Sequence, residues 1–497
     1  MAVGILLHIF AMTNSDLGLD AHVRLNAAMD GQHDGQDLAW GKLRVGNSSE
    51  QAPTHEQVYD GYIVPWFESE FAAKFTAFAG VLGVACLAGF SPRGDNRSLP
   101  FDPVKPALLL LSPIFLFVSA RGYDEGVLSL VAGFGAVGFL FIQGDERAQR
   151  LLHVVMMAVS VMLLLGWKGF SPVASIGAFL LTVALGAGWV IVEEKSTGSF
   201  GAWLVHPWKM AVSCAAAVFI AVMTLGMLTE TGTFAIIGQQ PVTFVLATLV
   251  ASIHSILLFL LVGFVLWPLL SVRWSSLSNL RGAGPTMLAS YIAVILAGIA
   301  AYIGALWTLE SQLWDRSLAE TMLVLGNNGR YATAVLLPLV FLLSWPIDDE
   351  EPNLAQDENN RIRVGLLVLV PLMLFVSFYG QQLWSDDAGA WLADSMEDDE
   401  TCFVMVAQET LAMHHLYVIK SNVDLNGEQG IDGYWRSAIH VEEFVDTNPD
   451  CAELMIIAPG EDYAPGEAWA LINEQAAPYT LSGGAHAGSW KVFRAIE

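Results

Sequence analysis

The sequence predicts an α-helical polytopic membrane protein, with about 11 transmembrane helices and a small C-terminal α/β domain. Three observations predict it. Of 497 residues, 54% are hydrophobic and 14% charged, at a mean hydropathy of +0.51, whereas an average soluble domain carries roughly 25% charged residues. The apolar residues fall in runs long enough to cross a bilayer. The charge is gathered in two pieces. Residues 13–70 hold ten acidic side chains against Arg24, Lys42 and Arg44, and residues 381–497 hold 21 against Lys420, Arg436, Lys491 and Arg494, which puts −7 and −17 of the total −26 there. These pieces must meet water, and the composition excludes a soluble globule and a disordered chain. So acidic a surface also argues against nucleic acid as a partner, because a phosphate backbone is held by Lys and Arg.

A bilayer core takes roughly 17–25 apolar residues per helix. Such runs stand near 71–90, 104–120, 126–142, 151–167, 173–192, 209–228, 242–270, 286–308, 332–346 and 364–380. Another run, Met1 to Met12, is too short to span alone. It is counted as the end of a first span that begins upstream, because it lacks the basic start and small-residue cleavage site of a signal peptide. Loops on one side carry eleven Lys or Arg, from Arg93 and Arg97 to Arg361 and Arg363; short loops opposite carry only Arg121, Lys168, Arg316 and Arg330. The positive-inside rule makes the first side cytoplasmic. Residues 13–70, 309–331 and 381–497 then share the outer face. The chain accordingly divides into a transmembrane domain, 1–380, with a large first outer loop, 13–70, and an extracytoplasmic domain, 381–497.

In the outer domain, 402–407 (CFVMVA) and 454–458 (LMIIA) read as buried strands, and 489–496 (SWKVFRAI) alternates like a final strand. Segments 434–447 and 465–476 have helical spacing. Cys86 and Cys214 lie in apolar runs as small core residues. Cys402 and Cys451 fall in the outer domain, where a disulfide can form; the sequence leaves the pairing open.

Three clusters can carry chemistry. The first outer loop begins with Asp16, Asp20, His22 and Arg24, a nine-residue stretch shortly after an apolar run. A carboxylate there can act as general base on an acceptor hydroxyl or amide, and Arg24 can hold an anion; a solvated helix start is the alternative. The loop ends in YDGYIVPWF, where Asp60 is a second carboxylate, and Tyr62 and Trp66 suit either a binding role or an aromatic belt. The third cluster is Arg330-Tyr331, just before a Pro-containing apolar run. An Arg at such a mouth pairs with a lipid phosphate or simply anchors the helix end. Asp315 in the same outer piece can line an acceptor site. His414-His415 have no Cys or His at a metal-ligand spacing, which favours a structural role. There is no phosphate-cradling Gly loop, no HExxH and no nucleophile elbow.

Together these pieces resemble the GT-C superfamily of integral membrane glycosyltransferases, in particular its protein mannosyltransferase and aminoarabinose-transferase branch. Asp20 in LDAHVRLNAA matches the Asp of that branch's Asp-Glu motif, YIVPWF its entry to the next span, and Arg330-Tyr331 before LLPL its late Arg-Tyr pair. Ala21 stands where the branch has Glu. DAHVRL is also similar to an Asp…His-x-Arg segment of archaeal oligosaccharyltransferases, but residues 381–497 contain no WWDYG motif. The resemblance implies a membrane enzyme that takes sugar from a polyprenyl-phosphate donor, of dolichyl type if the source is archaeal or eukaryotic. The acceptor would be a protein, lipid or glycan on the outer face. Asp20 would be the base, with Asp16 and His22 positioning it or the acceptor. Arg330, Tyr331 and Arg24 would hold the lipid phosphate. No cofactor is certain; a divalent metal stays open without a clear ligand set. Two other readings remain: a transporter or flippase, which predicts charges inside the spans and an internal repeat, and a non-catalytic scaffold using the acidic outer domain.

Overall fold

The computed structural model describes residues 1–22, 25, 69–90, 92, 101–141, 147–167, 172–228, 233–253, 269–270, 277–313, 316–346, 360, 363–365, 367–368, 370–371, 382–397, 400–407, 411–426, 431–447, 453–478 and 488–496. Helix α1 covers Ala2–Asn14, α2 Glu70–Ala88, α3 Val104–Leu110, α4 Pro113–Ala120 and α5 Glu125–Val137. Then come α6 (Arg147–Trp167), α7 (Pro172–Lys195), α8 (Gly198–Leu204), α9 (Pro207–Leu228), α10 (Pro241–Val250) and α11 (Ala283–Leu313). After α12 (Leu318–Val324), a 3₁₀ helix over Gly326–Val335 leads into α13 (Leu336–Leu343).

Among the described residues, five helices (α2, α6, α7, α9 and α11) are long and apolar enough to cross a membrane. Their 19 to 31 residues suit a hydrocarbon core of about 30 Å at a rise of about 1.5 Å per residue. The outward faces of α7 and α9 are apolar, with Leu185 65% exposed and Val212 71% exposed. Such a surface suits lipid and would be costly in water. Other expected spans lie wholly or partly outside the described residues or are built from shorter helices. The run 104–120 is divided into α3 and α4, of 7 and 8 residues. The reason is local: Ser112 is extended and Pro113, which has no N–H to give the preceding turn, begins a new helix.

Small residues set the closest helix crossing. A Cβ on Gly80 of α2 would lie 2.5 Å from the carbonyl of Gly126 in α5, and one on Gly126 would lie 2.3 Å from Ala77 O. Only glycine lets these backbones touch. The largest buried cluster then joins α2, α5, α11 and α13 through Val81, Val84, Ala136, Leu288, Leu336 and Phe341.

The C-terminal unit follows with α14 (Trp384–Ser395), β1 (Cys402–Val406), α15 (Ala412–Asn426), β2 (Asp432–Arg436), α16 (Val441–Thr447), β3 (Leu454–Ile457), β4 (Trp469–Ala476) and β5 (Ser489–Ala495). The sheet order is β2-β1-β3-β5-β4. β1 is parallel to both β2 and β3, while β5 is antiparallel to β3 and β4. Alternate residues of β1 serve opposite faces. Phe403 and Met405 pack on Trp384, Leu416 and Ile419 from α14 and α15, while Val404 and Val406 pack on Val441 and Phe444 from α16. The sheet is thus covered on both sides, and its strand order reverses at β1.

The strands expected at 402–407, 454–458 and 489–496 are present within a residue or two. Segment 465–476 is not helical: Trp469–Ala476 is strand β4, paired along β5 with an irregularity between Leu471 and Asn473. Its Ala, Leu, Glu and Gln favour helix locally, but the cross-strand pairing outweighs that weak preference. Of 434–447, only 441–447 is helix; Tyr434–Arg436 complete β2 and turn back on Phe444. Cys402 is disulfide-bonded, and Cys86 and Cys214 are free; Cys451 lies outside the described residues.

Candidate active site

Arg330 is the hub of the site. It sits on the 3₁₀ helix before α13 and is 2% exposed. Its Nη2 donates to Asp20 Oδ2, and its Nε lies 3.3 Å from Glu125 Oε1. The guanidinium stacks over the rings of Tyr123 at 4.3 Å and Tyr331 at 4.9 Å. A buried cation needs this combination of carboxylates and aromatic faces to offset its lost hydration. The planar fork of Arg lets two acids be held at once, at Nη2 and at Nε, in a fixed geometry that a Lys ammonium cannot reproduce.

The chain carrying Asp20 is pinned to the turn between α4 and α5. Gly18 N donates to Arg121 O at 2.8 Å. The approach is so close that a Cβ on Gly18 would lie 2.3–2.6 Å from the Tyr123 ring. Gly122 adopts φ +65 in that turn, a left-handed conformation that favours glycine. On the other side, buried Lys74 of α2 caps the C-terminal end of α1. Its Nζ donates to Met12 O at 3.0 Å, to Ser15 O and to Glu70. The cation thus satisfies carbonyls that have no helical partner and fixes where the 16–22 segment leaves α1.

Asp16 faces the C-terminal unit. Its Oδ2 accepts from Leu383 N at 3.1 Å. Burial, and then the nearby charge of Asp386, push its carboxyl up to about 7, against the opposing effect of the Leu383 N–H, Arg121 and Lys74. His22 bridges the same two parts. Its Nδ1 lies 2.7 Å from Ser421 Oγ on α15, and its Nε2 lies 3.3 Å from Asp386 Oδ1 on α14. Asn422 Nδ2 donates to the same Asp386 oxygen at 2.8 Å. Ser421, His22 and Asp386 stand in the order of a hydrolytic triad, but Ser421 is fully buried and its hydroxyl donates to Val418 O. No substrate reaches that oxygen, so the chain of contacts is a polar tie between the two parts. His414, in the first turn of α15, brings its Nε2 to 3.4 Å from Asp20 Oδ1.

Of the residues singled out in the sequence, Asp16, Asp20, His22, Arg330 and Tyr331 meet at this junction. Arg24, Asp60, Tyr62, Trp66 and Asp315 lie outside the described residues. Arg330 is not open at the mouth of a helix, as the sequence reading has it. Its Nη2 and Nε are held by the carboxylates of Asp20 and Glu125, and its Nη1 donates to Asn328 Oδ1 at 3.5 Å, so an incoming phosphate must displace one of these partners. Among the described residues, no three His, Cys, Asp or Glu side chains gather as a metal-binding group.

Sequence reasoning missed Glu125, Tyr123, Asp386 and His414. Glu125 and Tyr123 had a readable signal: RGYDEG, at 121–126, packs three charged groups and a tyrosine into a short turn between two apolar runs, where each charge needs a partner. His414 and Asp386 had none, because their partners lie hundreds of residues away.

No family model and no curated protein sequence matches the chain. Among solved structures, the chain is similar to ArnT from Cupriavidus metallidurans bound to undecaprenyl phosphate, at 12% identity and a TM-score of 0.38, covering 99% of this chain and 96% of that one. The apo structure of the same protein gives 12% identity and a TM-score of 0.35 over the same shares. Superposition at this level fixes no correspondence between individual residues.

Proposed function

We propose that the protein is a membrane glycosyltransferase that moves a sugar from a polyprenyl-phosphate donor to an acceptor at the outer membrane face, with Asp20 as general base. The observation that carries this reading is the pairing of Asp20 with Arg330 where the helical part meets the C-terminal unit. Transfer needs two things there: a base for the acceptor, and a cation for the phosphate that departs. The two groups that the sequence resemblance marks for these tasks touch each other.

Their contact also suggests an order of events. With Arg330 on its Oδ2, Asp20 is a weak base. A donor phosphate competes with Asp20 for Nη2 while Glu125 stays at Nε. Exchange on Arg330 releases Asp20 to take the proton of the acceptor hydroxyl or amide. The acceptor oxygen or nitrogen then bonds to the anomeric carbon, the bond from that carbon to the phosphate oxygen breaks, and the configuration inverts. The electron pair leaves with the lipid phosphate, whose charge Arg330 offsets. Asp16 and His22 position the segment that carries Asp20. The finer assignments belong to the same proposal: a transmembrane domain over 1–380, an outer α/β domain over 381–497, and about eleven spans in all. The loop charges and a disulfide at Cys402 support the outer placement.

The test is sugar transfer from radiolabelled polyprenyl-phosphate sugars in membranes, with wild type and Asp20→Asn compared. Transfer by wild type and its loss in a folded, inserted variant is the expected result. Equal transfer by both removes Asp20 from the mechanism. A folded wild type that transfers from no donor overturns the function.

A further inference from the structure

Asp20 is met on both of its oxygens, by one group from the helical part and one from the C-terminal unit. Arg330 takes Oδ2, and His414 Nε2 stands 3.4 Å from Oδ1. The carboxylate keeps 25% of its exposure while the His414 side chain keeps 12% and Arg330 3%. Asp20 can therefore meet an acceptor that its partners cannot.

The position of His414 follows from the sheet. It lies in the first turn of α15, which leaves the carboxyl end of β1. β1 is the strand at which the order reverses, with β2 on one side and β3 on the other. Sheets of this kind present their functional side chains at that end. Here that end is docked on the helical part rather than open. The docking is fixed by the Asp16–Leu383 and His22–Ser421 hydrogen bonds, the His22–Asp386 contact, and Leu19 packed against Leu383, Val418 and Leu411. Those contacts lie on both sides of Asp20 in the sequence, so the His414–Asp20 distance is set by a rigid joint.

We propose that His414 is a positioning residue for Asp20, so that the C-terminal unit completes the catalytic centre and makes the base sensitive to the charge of an imidazole. The inference rests on the glycosyltransferase reading above. A neutral His414 donating from Nε2 orients the carboxylate and leaves its charge free to accept a proton. A protonated His414 places a second cation beside Asp20, next to Arg330, and weakens it as a base. Charged and titratable groups on the surrounding elements are Asp16, Asp20 and His22 on the 16–22 segment, Arg330 and Tyr331 on the 3₁₀ helix, Glu125 on α5, Glu310 on α11, and Asp386 and Asp387 on α14. On α15 itself, Lys420 is paired with Asp424 at 2.8 Å. His414 Nε2 lies 3.4 Å from Asp20 Oδ1, so the charge of that imidazole acts directly on the carboxylate.

The experiment uses the full-length protein in lipid nanodiscs, with kcat and KM for a radiolabelled polyprenyl-phosphate sugar followed from pH 5 to pH 9. His414→Gln keeps an N–H near the Nε2 position but does not titrate; His414→Ala keeps neither property. The expected result for His414→Ala is a kcat roughly tenfold or more below wild type, with KM for the lipid donor within about twofold. His414→Gln is expected to stay within about threefold of wild type at the alkaline end, and to lose the decline toward acid that wild type shows. An unchanged kcat in His414→Ala, or a wild-type pH profile in His414→Gln, overturns the proposal. If His414→Ala does not fold, the His414→Gln profile decides alone. A wild type that transfers no sugar overturns the function instead. The contact is then read by the ¹³C-histidine titration of His414, which must move in Asp20→Asn; a titration that does not move overturns the coupling.

Discussion

Arg330 and Asp20 form an ion pair across 310 residues of sequence, and Glu125 lies against Nε of the same guanidinium. Two carboxylates on one buried cation leave a net negative site. That imbalance matters for function, because the pair is easier to open than an isolated one: a second anion can replace Asp20 without leaving Arg330 uncompensated.

The role of Glu125 separates stability from activity. Arg330→Met removes the cation beside Glu125, which is 1% exposed, and should cost about 3–5 kcal/mol. Adding Glu125→Gln should recover a large part of that loss, since a neutral amide is far less costly to bury. Thermal unfolding in detergent micelles compares the single and double variants. A double variant no more stable than Arg330→Met would show that the buried charge is not the cause. Neither variant should transfer sugar at more than about one hundredth of the wild-type rate.

The close approach at Gly18 makes a second prediction. In Gly18→Ala the new methyl group must displace the Tyr123 ring, and that ring lies against Arg330 at 4.3 Å. Overpacking of this kind costs about 1–3 kcal/mol. The larger effect should fall on transfer, because the displaced ring carries the guanidinium with it. Gly18→Ala combined with Tyr123→Leu should restore stability but not activity. Full activity in Gly18→Ala would mean that the turn yields without moving Arg330.

Much of the fold was legible before any contact was known. The two acidic pieces that carry nearly all the charge, and the buried strands β1 and β3, follow from composition and short runs. So did Asp20 and Arg330 as a pair of interest. What was not legible is long-range. His22 meets Ser421 across 399 residues and Asp16 meets Leu383 across 367, and no spacing rule reaches that far. The β4 segment failed for a related reason: its local preference is helical, while its strand state comes from pairing with β5. His414 gave no sign of its partner for the same reason, because the carboxylate it meets, Asp20, comes from the segment that follows α1.

The tie through His22 should control docking of the C-terminal unit. His22→Ala removes the contacts to Ser421 and Asp386 together, at a cost of about 1–3 kcal/mol for the buried polar groups left behind. The weakening should be local. Amide exchange measured by mass spectrometry should rise in 383–386 and in α15, while α11 stays as protected as in wild type. Uniform acceleration over both parts would mean that the variant destabilises the whole molecule rather than the joint.

Asp16 gives the joint a dependence on pH whose direction can be stated. Its carboxyl is raised from the ordinary value of 3.8 to about 7, by burial and then by Asp386. Between those two values the folded state binds a proton that the unfolded state does not. Stability therefore falls as pH rises through this window, and above about 7 the full cost of a charged, buried Asp16 is present. That cost is on the order of a few kcal/mol, partly relieved by the water that reaches the group. Asp16→Asn stays neutral throughout and keeps an oxygen to accept from Leu383 N. The variant should thus melt higher than wild type at pH 8, by several degrees, and at nearly the same temperature at pH 5, where Asp16 is itself largely protonated. Comparing the two proteins at each pH removes the contribution of every other carboxylate. A difference that is the same at both pH values would show that Asp16 does not hold a proton in the folded state.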